Sequence, residues 1–306
     1  MQNVAMSIPT ARKDRLDALA MFILLACCVF WGFQQVMVKA TLPEVPSVLQ
    51  AGIRFSGATL VLLAWARWRG IRLGGGLPLA EHLVPGLVAG LLFFGEFAFL
   101  QLAIRDIPAS RLTVLLYTSP FWVAACLPVF VKSERLGRWQ WLGLGIAFGA
   151  VAFALRENLQ LASGRWGGDL LALAAGASWG LTTVVIRSTP LGRTGAPTVL
   201  LYQVALSGPL LLAMSWALGE SWAIHWGGWA WLSLALQIVV GAFASFLVWM
   251  WLLGCYPATL LASFVFLTPV FALIFGSLWL GEPVTLALLV ALGGVVLGIV
   301  CVNQRR

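Results

Sequence analysis

Residues 108–120, Pro108-Ala109-Ser110-Arg111-Leu112-Thr113-Val114-Leu115-Leu116-Tyr117-Thr118-Ser119-Pro120, decide how the chain folds. They return as Pro257-Ala258-Thr259-Leu260-Leu261-Ala262-Ser263-Phe264-Val265-Phe266-Leu267-Thr268-Pro269, 149 residues later. Both copies begin Pro-Ala-(Ser/Thr) and close with (Ser/Thr)-Pro. A second echo removes the chance of coincidence. Trp31-Gly32-Phe33-Gln34-Gln35 matches Trp179-Gly180-Leu181-Thr182-Thr183 at a shift of 148, and Lys39 falls on Arg187. Two echoes at nearly one offset make an internal duplication.

Working outward, the 306 residues are 61% hydrophobic and 10% charged, with a mean hydropathy of +0.95. Soluble domains carry about 25% charged residues, so the composition is that of a polytopic membrane protein. The net charge of +8 does not point to nucleic acid, because the basic residues are spread through short loops and form no patch. Cys27, Cys28, Cys126, Cys255 and Cys301 lie within apolar runs without metal-ligand spacing. They read as small buried hydrophobes, with no disulfide and no metal expected. Residues 1–14 are polar and of mixed charge, so no cleaved signal peptide is expected.

A spanning helix needs about 20 mostly apolar residues. Ten such runs are expected, near 17–38, 46–67, 83–104, 109–131, 138–155, 168–187, 197–218, 229–253, 258–280 and 284–302. Gly74-Gly75-Gly76 reads as a flexible loop; no Gly-Lys-(Ser/Thr) follows to make it a phosphate cradle. The polar stretch 156–168 is the expected boundary between a first repeat, 16–155, and a second, 169–302. With the N-terminus inside, Arg12, Lys13, Arg15, Arg67, Arg69, Arg72, Lys132, Arg135, Arg138, Arg187, Arg193, Arg305 and Arg306 are cytoplasmic, against Lys39, Arg105, Arg111, Arg156 and Arg165 outside. Thirteen against five predicts that both termini are cytoplasmic. Trp216, Trp222, Trp226, Trp229 and Trp231 read as an interfacial aromatic belt. Five spans per repeat is an odd number, so the second copy enters from the opposite side. The expected fold is an all-α integral membrane protein of ten helices in two inverted five-helix repeats. That architecture is typical of secondary transporters, whose substrate site lies near the midplane between the halves.

The same residues carry a family resemblance. Trp-Gly in helices 1 and 6, the Pro-Ala to (Ser/Thr)-Pro stretch in helices 4 and 9, and Glu134 and Glu282 at the ends of those helices resemble the paired EamA domains of the drug/metabolite transporter superfamily. The resemblance covers residues 16–302. Phe93-Phe94-Gly95-Glu96, Tyr117 before Ser119-Pro120, and Trp179 are similar to the YddG-type exporters of aromatic amino acids. It implies outward transport of an aromatic or large neutral amino acid, with no cofactor.

Glu96 is the only acidic residue deep inside a span, where a charge costs a few kcal/mol and marks a pathway or a buried pair. Arg54 is the candidate partner, since both residues lie about 12–14 Å below the outer boundary at 1.5 Å per residue. A structural ion pair and a direct role in substrate or proton binding stand as equal alternatives. Trp31, Gln34 and Gln35, with Trp179, Thr182 and Thr183, put polar groups on the Trp face of two helices. Polar amides facing lipid are costly, so these faces should look inward, lining a cavity or bonding neighbouring helices. The Trp179 indole can stack on an aromatic cargo and offer one N–H. Phe93, Phe94, Phe97, Phe99, Phe243, Phe246 and Trp249 supply further aromatic surface, most of it expected against lipid or neighbouring helices. Pro120 and Pro269 break helices 4 and 9 and read as paired hinges, static kinks being the alternative. Gly145/Gly149 and Gly294/Gly298 are small-xxx-small pairs suited to close helix packing, within a monomer or across a homodimer.

The substrate-binding candidates are therefore Trp179, Tyr117, Ser119, Glu96, Phe94, Trp31, Gln34, Gln35, Thr182 and Trp249. His82 and His225 lie at loop edges, and no catalytic constellation is visible, so no enzyme activity is expected. The expected protein is an inner-membrane exporter working by alternating access, with the lipid bilayer and a small molecule as partners and proton coupling left open. The alternatives are an exporter of drugs, purines or other metabolites, a polytopic enzyme acting on lipid, and a receptor or scaffold.

Overall fold

A chain with so few charges can satisfy its backbone in lipid only through helices or a closed barrel. The computed structural model describes residues 16–103, 105–107, 109–154, 166–223, 227–280 and 286–302, which form helices and no strand. Pro108, Arg156, Arg165, His225, Trp226 and Glu282 lie outside the described residues, as does most of the boundary stretch 156–168. In order, the helices are α1 Ala18–Thr41, α2 Ser47–Trp68, α3 Leu79–Ala103, α4 Ala109–Leu116, α5 Ser119–Phe130, α6 Arg138–Ala154, α7 Trp166–Ser188 and α8 Ala196–Ala217. Then come α9 Gly228–Leu236, a π-helical segment Gln237–Ser245, α10 Phe246–Cys255, α11 Ala258–Phe264, α12 Leu267–Leu280 and α13 Leu286–Val302.

Counting α4–α5, α9–α10 and α11–α12 as single crossings, eight helices among the described residues are long and apolar enough to span a membrane. The other two expected spans, α6 and α13, have 17 residues each, about 25 Å at 1.5 Å per residue. Residues 166–168, expected in the boundary, open α7.

Two units make up the fold. The first gathers Met37–Phe94 and Thr182–Tyr256. In it α2 and α8 run antiparallel and come close at small residues. A Cβ on Gly52 would meet Leu212 at 2.7 Å, and one on Gly208 would meet Ser56 at 2.6 Å. The N-terminus of α2 is capped from a distance: the Val48 and Leu49 amides donate to the Glu220 carboxylate at 3.2 and 2.8 Å. Thr41, Ser233, Gln237 and Gln50 form a buried hydrogen-bonded set joining α1, α2 and the π-helical segment. That is how polar groups in a span avoid the desolvation cost of an unmade bond.

The glycine loop differs from the expectation of flexibility. Gly74, Gly75 and Gly76 all have positive φ, which glycine alone adopts without strain. The Gly74 amide donates to Thr198 Oγ1 at 2.9 Å, and Gly75 lies on the Thr194 backbone. The loop is pinned to the start of α8. His82, expected at a loop edge, is buried within α3, with Nδ1 3.0 Å from the Tyr202 hydroxyl. Trp216, Trp222 and Trp231 are exposed.

The second unit gathers residues 16–36, Gly95–Leu181 and Pro257 onwards. Its closest helix pair is α6 with α13. A Cβ on Gly143 would meet the Gly298 carbonyl at 2.6 Å, and one on Gly294 would meet Ala150 Cβ at the same distance. Within the monomer the α6 contact is made by Gly143 and not by the expected Gly145 and Gly149. Gly145 and Gly149 are exposed with no atom near them, because two residues turn a helix by about 200° and carry them off the 143, 147, 150 face. Gly294 and Gly298 do make the contact. Glu134 sits in a 3₁₀ turn after α5 and accepts the Ala258 amide at 3.1 Å, capping α11.

Candidate functional site

Pro120 has no N–H for the Leu116 carbonyl, and Pro269 none for that of Val265. The consequence appears one turn before each proline. The α4–α5 helix is interrupted at Tyr117–Thr118 and the α11–α12 helix at Val265–Phe266. Tighter bonds fill the gaps: Thr118 Oγ1 donates to Leu115 O at 2.6 Å, and the Thr268 amide donates to Val265 O at 2.9 Å. Each helix thus breaks about one turn before its proline, a geometry shared by a hinge and a static kink.

Helix α7 seats on the first break through two glycines. A Cβ at Gly176 would stand 2.7 Å from the Leu116 carbonyl and 2.8 Å from Thr118 Oγ1. One at Gly180 would stand 2.6 Å from Trp122 Cβ and 2.8 Å from the Ser119 carbonyl. This approach brings Trp179 edge-on to Tyr117, with ring centroids 5.8 Å apart at 81°. Helix α1 does the same to the second proline helix, where a Cβ at Gly32 would meet Phe271 Cβ at 2.7 Å and the Ala272 amide at 2.8 Å. Trp122 and Val123 are the repeat equivalents of Phe271 and Ala272. Each Trp-Gly motif therefore docks on the proline helix of the other repeat, at the same position.

Around Tyr117 the surroundings divide by chemistry. One side is aromatic: Phe266 lies 6.3 Å from Tyr117, Phe148 lies 6.4 Å from Phe266, and Phe121 lies 5.3 Å from Phe148. The other side is polar. Thr268 and Gln35 lie near the Tyr117 hydroxyl, and the buried Thr268 Oγ1 makes no hydrogen bond among the described residues. Cys28 donates to the Phe264 carbonyl at 3.3 Å. Gln35 is exposed although it reaches a buried tyrosine. Gln34 is buried, and its carbonyl oxygen has no hydrogen-bond partner among the described residues. An aromatic wall beside an amide and a phenol suits a ligand with an apolar body and a polar end.

Of the residues expected from sequence, Trp31, Gln34, Gln35, Glu96, Tyr117, Ser119 and Trp179 belong to this unit. Phe94, Thr182 and Trp249 belong to the first unit, the last two buried. Arg54 is there too, buried, with its guanidinium 4.6 Å above the Phe55 ring. Phe55, Phe93 and Phe246 form an aromatic triangle beside it. Sequence reasoning missed Phe266, Thr268 and Gly176. The first two were legible as the repeat equivalents of Tyr117 and Ser119, and the third as the partner in Gly176-x-x-x-Gly180. Among the described residues no group of acidic, histidine or cysteine side chains could hold a metal.

The EamA-like transporter family matches residues 18–156 and again residues 166–304. The chain belongs to the EamA-like transporter family. As a member it is a multi-pass membrane transporter of the drug/metabolite transporter superfamily. This EamA-like transporter is 30% identical to the uncharacterized transporter YvbV of Bacillus subtilis, over 96% of its own length and 93% of the relative's. It is 29% identical to a probable amino-acid metabolite efflux pump of Salmonella typhimurium, covering 86% and 88%. It is 25% identical to the uncharacterized inner membrane transporter YedA of Escherichia coli, covering 92% and 90%. A solved crystal structure shares the fold with a TM-score of 0.77 at 20% identity, over 92% of this EamA-like chain and 97% of the other.

Proposed function

We propose that this EamA-like transporter is a secondary exporter of amino acids with aromatic or large neutral side chains, located in the inner membrane. The reading takes ten spans in two inverted repeats, residues 16–155 and 169–302, with both termini cytoplasmic. Alternating access proceeds by rocking at the breaks before Pro120 and Pro269, and the cargo occupies a central cavity between the repeats. The observation that carries the reading is the division around Tyr117. Trp179 and Phe266 put aromatic rings beside Tyr117, and Gln35 lies by its hydroxyl. The reciprocal docking of Gly32 and Gly180 supports a two-fold relation between the repeats, since equivalent residues meet equivalent partners. The relative named as an amino-acid metabolite efflux pump supports the cargo class.

In this reading Trp179, Tyr117, Trp31, Phe94 and Trp249 hold the apolar part of the cargo. Ser119, Gln34, Gln35 and Thr182 meet its polar groups, and Glu96 is suited to the α-ammonium. The alternative role for Glu96 is a structural ion pair with Arg54. The test is flux of a labelled amino-acid panel in proteoliposomes, with and without a pH gradient. Saturable flux of phenylalanine, tryptophan and leucine is expected. No flux of any amino acid by folded, inserted protein would sink the reading.

A further inference from the structure

Glycine in the middle of a helix costs up to about 1 kcal/mol relative to alanine. In this protein the helical glycines usually repay that cost through close approach. On α3, a Cβ at Gly86 or Gly90 would stand 2.5 Å from Tyr202, and Gly176 and Gly180 on α7 are as tight. Like Gly145, Gly149 and Gly293, Gly95 on α3 does not repay it in this way. A Cβ there would meet only Phe99 Cε2 at 3.4 Å and Ser178 Oγ at 3.5 Å, which is ordinary contact. No positive φ requires glycine at this position either. Neither packing nor backbone conformation explains it.

Its surroundings belong to the site. Gly95 precedes Glu96 on α3, and Ser178 precedes Trp179 on α7, so the Gly95–Ser178 approach brings together the two helices that carry Glu96 and Trp179. Gly95 is half-buried, and a Cβ there would fit in ordinary contact without displacing a neighbour. We propose that Gly95 sets the upper size of the cargo. Its missing side chain leaves a recess, bounded by the Phe99 edge and the Ser178 hydroxyl, that receives the far end of a large apolar side chain while Glu96 meets the polar end. The inference rests on the amino-acid export reading for the identity of the cargo, while the room for a Cβ at Gly95 stands on geometry alone.

The test compares wild type, Gly95→Ala and Gly95→Leu for flux of alanine, threonine, leucine, phenylalanine and tryptophan in proteoliposomes. Leucine is a better helix former than glycine, so the helix itself should tolerate the change, and monodispersity in detergent checks the fold. A few methylenes in an apolar pocket change selectivity by about tenfold or more. Gly95→Leu is therefore expected to lower tryptophan and phenylalanine flux about tenfold while alanine and threonine stay within about twofold. Gly95→Ala should lie between. Adding Phe99→Ala to Gly95→Leu gives room back at the nearest boundary and should restore part of the aromatic flux. An unchanged size ranking in folded Gly95→Leu protein, or an equal loss for every amino acid, overturns the proposal. If wild type moves no amino acid, the export reading fails, and the recess is read independently in Gly95→Cys. Reaction of the introduced thiol with a methyl thiosulfonate reagent supports an open recess, and no reaction overturns it.

Discussion

Tyr117 and Phe266 stand 149 residues apart at equivalent positions of the two repeats, and their rings lie 6.3 Å apart at 36° to one another. Equivalent residues of two copies related by a two-fold axis can touch only beside that axis. Both also sit in the broken turns that precede Pro120 and Pro269. The pair differs by one hydroxyl, and that hydroxyl lies near Thr268 and Gln35. Tyr117→Phe makes the crossing symmetric at no cost in ring packing. Removing one buried hydrogen-bonding group is worth about 1 kcal/mol. Transport is expected to fall about fivefold with thermal stability within a few degrees of wild type, read by flux and by melting in detergent. Full activity in Tyr117→Phe would mean that the ring alone matters.

Gly32, Gly180 and Gly145 separate packing from propensity. At the first two an added Cβ would meet neighbouring backbone or Cβ atoms at 2.6–2.9 Å, and at Gly145 it would meet nothing. Overpacking costs about 1–3 kcal/mol. Gly32→Ala and Gly180→Ala should each lower the melting temperature by several degrees and reduce flux, because they push the Trp helices off the proline helices. Gly145→Ala should leave both unchanged or raise the melting temperature slightly. Equal behaviour of all three variants would show that the seating is not tight.

Glu134 offers a cleaner case, a single carboxylate accepting the first amide of α11. A lost helix cap costs about 1 kcal/mol. Glu134→Ala is expected to destabilise by about that amount, and Glu134→Gln, which keeps an acceptor oxygen, by less. Melting curves of the two variants decide it, and an identical loss in both would move the role from capping to charge.

Much of this was legible in the chain, and the parts that were not share a cause. Tyr117, Trp179 and the two proline breaks follow from the 148–149 repeat, because motif and offset are properties of sequence. A third echo is harder to see: Pro46-Ser47-Val48-Leu49 with Ser56-Gly57 matches Pro197-Thr198-Val199-Leu200 with Ser207-Gly208 at a shift of 151. Connections of different length move the offset, and this is the stretch where α2 and α8 come together at Ser56 and Gly208. Partner choice is what sequence withholds. The spacing of Gly145 and Gly149 announces a small face but not the neighbour, and the contact went to Gly143. Three consecutive glycines look flexible until Thr198 is seen to hold one of them.

Glu96 and Arg54 set the last question, since either a buried pair or a cargo contact explains a carboxylate in a span. Glu96 and Arg54 are both buried. Breaking a buried pair from one side costs about 3–5 kcal/mol, because the remaining charge is left uncompensated, whereas removing both partners is far milder. If pairing is the whole role, Glu96→Gln should lower melting temperature and expression, and adding Arg54→Gln should recover both along with flux. If Glu96 receives the cargo ammonium, Glu96→Gln should reduce flux at least tenfold, and the double variant should regain stability while staying inactive. Trp179→Ala serves as the companion, losing flux of aromatic cargo without a matching loss of stability. The second pattern is the expected one. Wild-type flux in both Glu96→Gln and Trp179→Ala would place the cargo elsewhere in the protein.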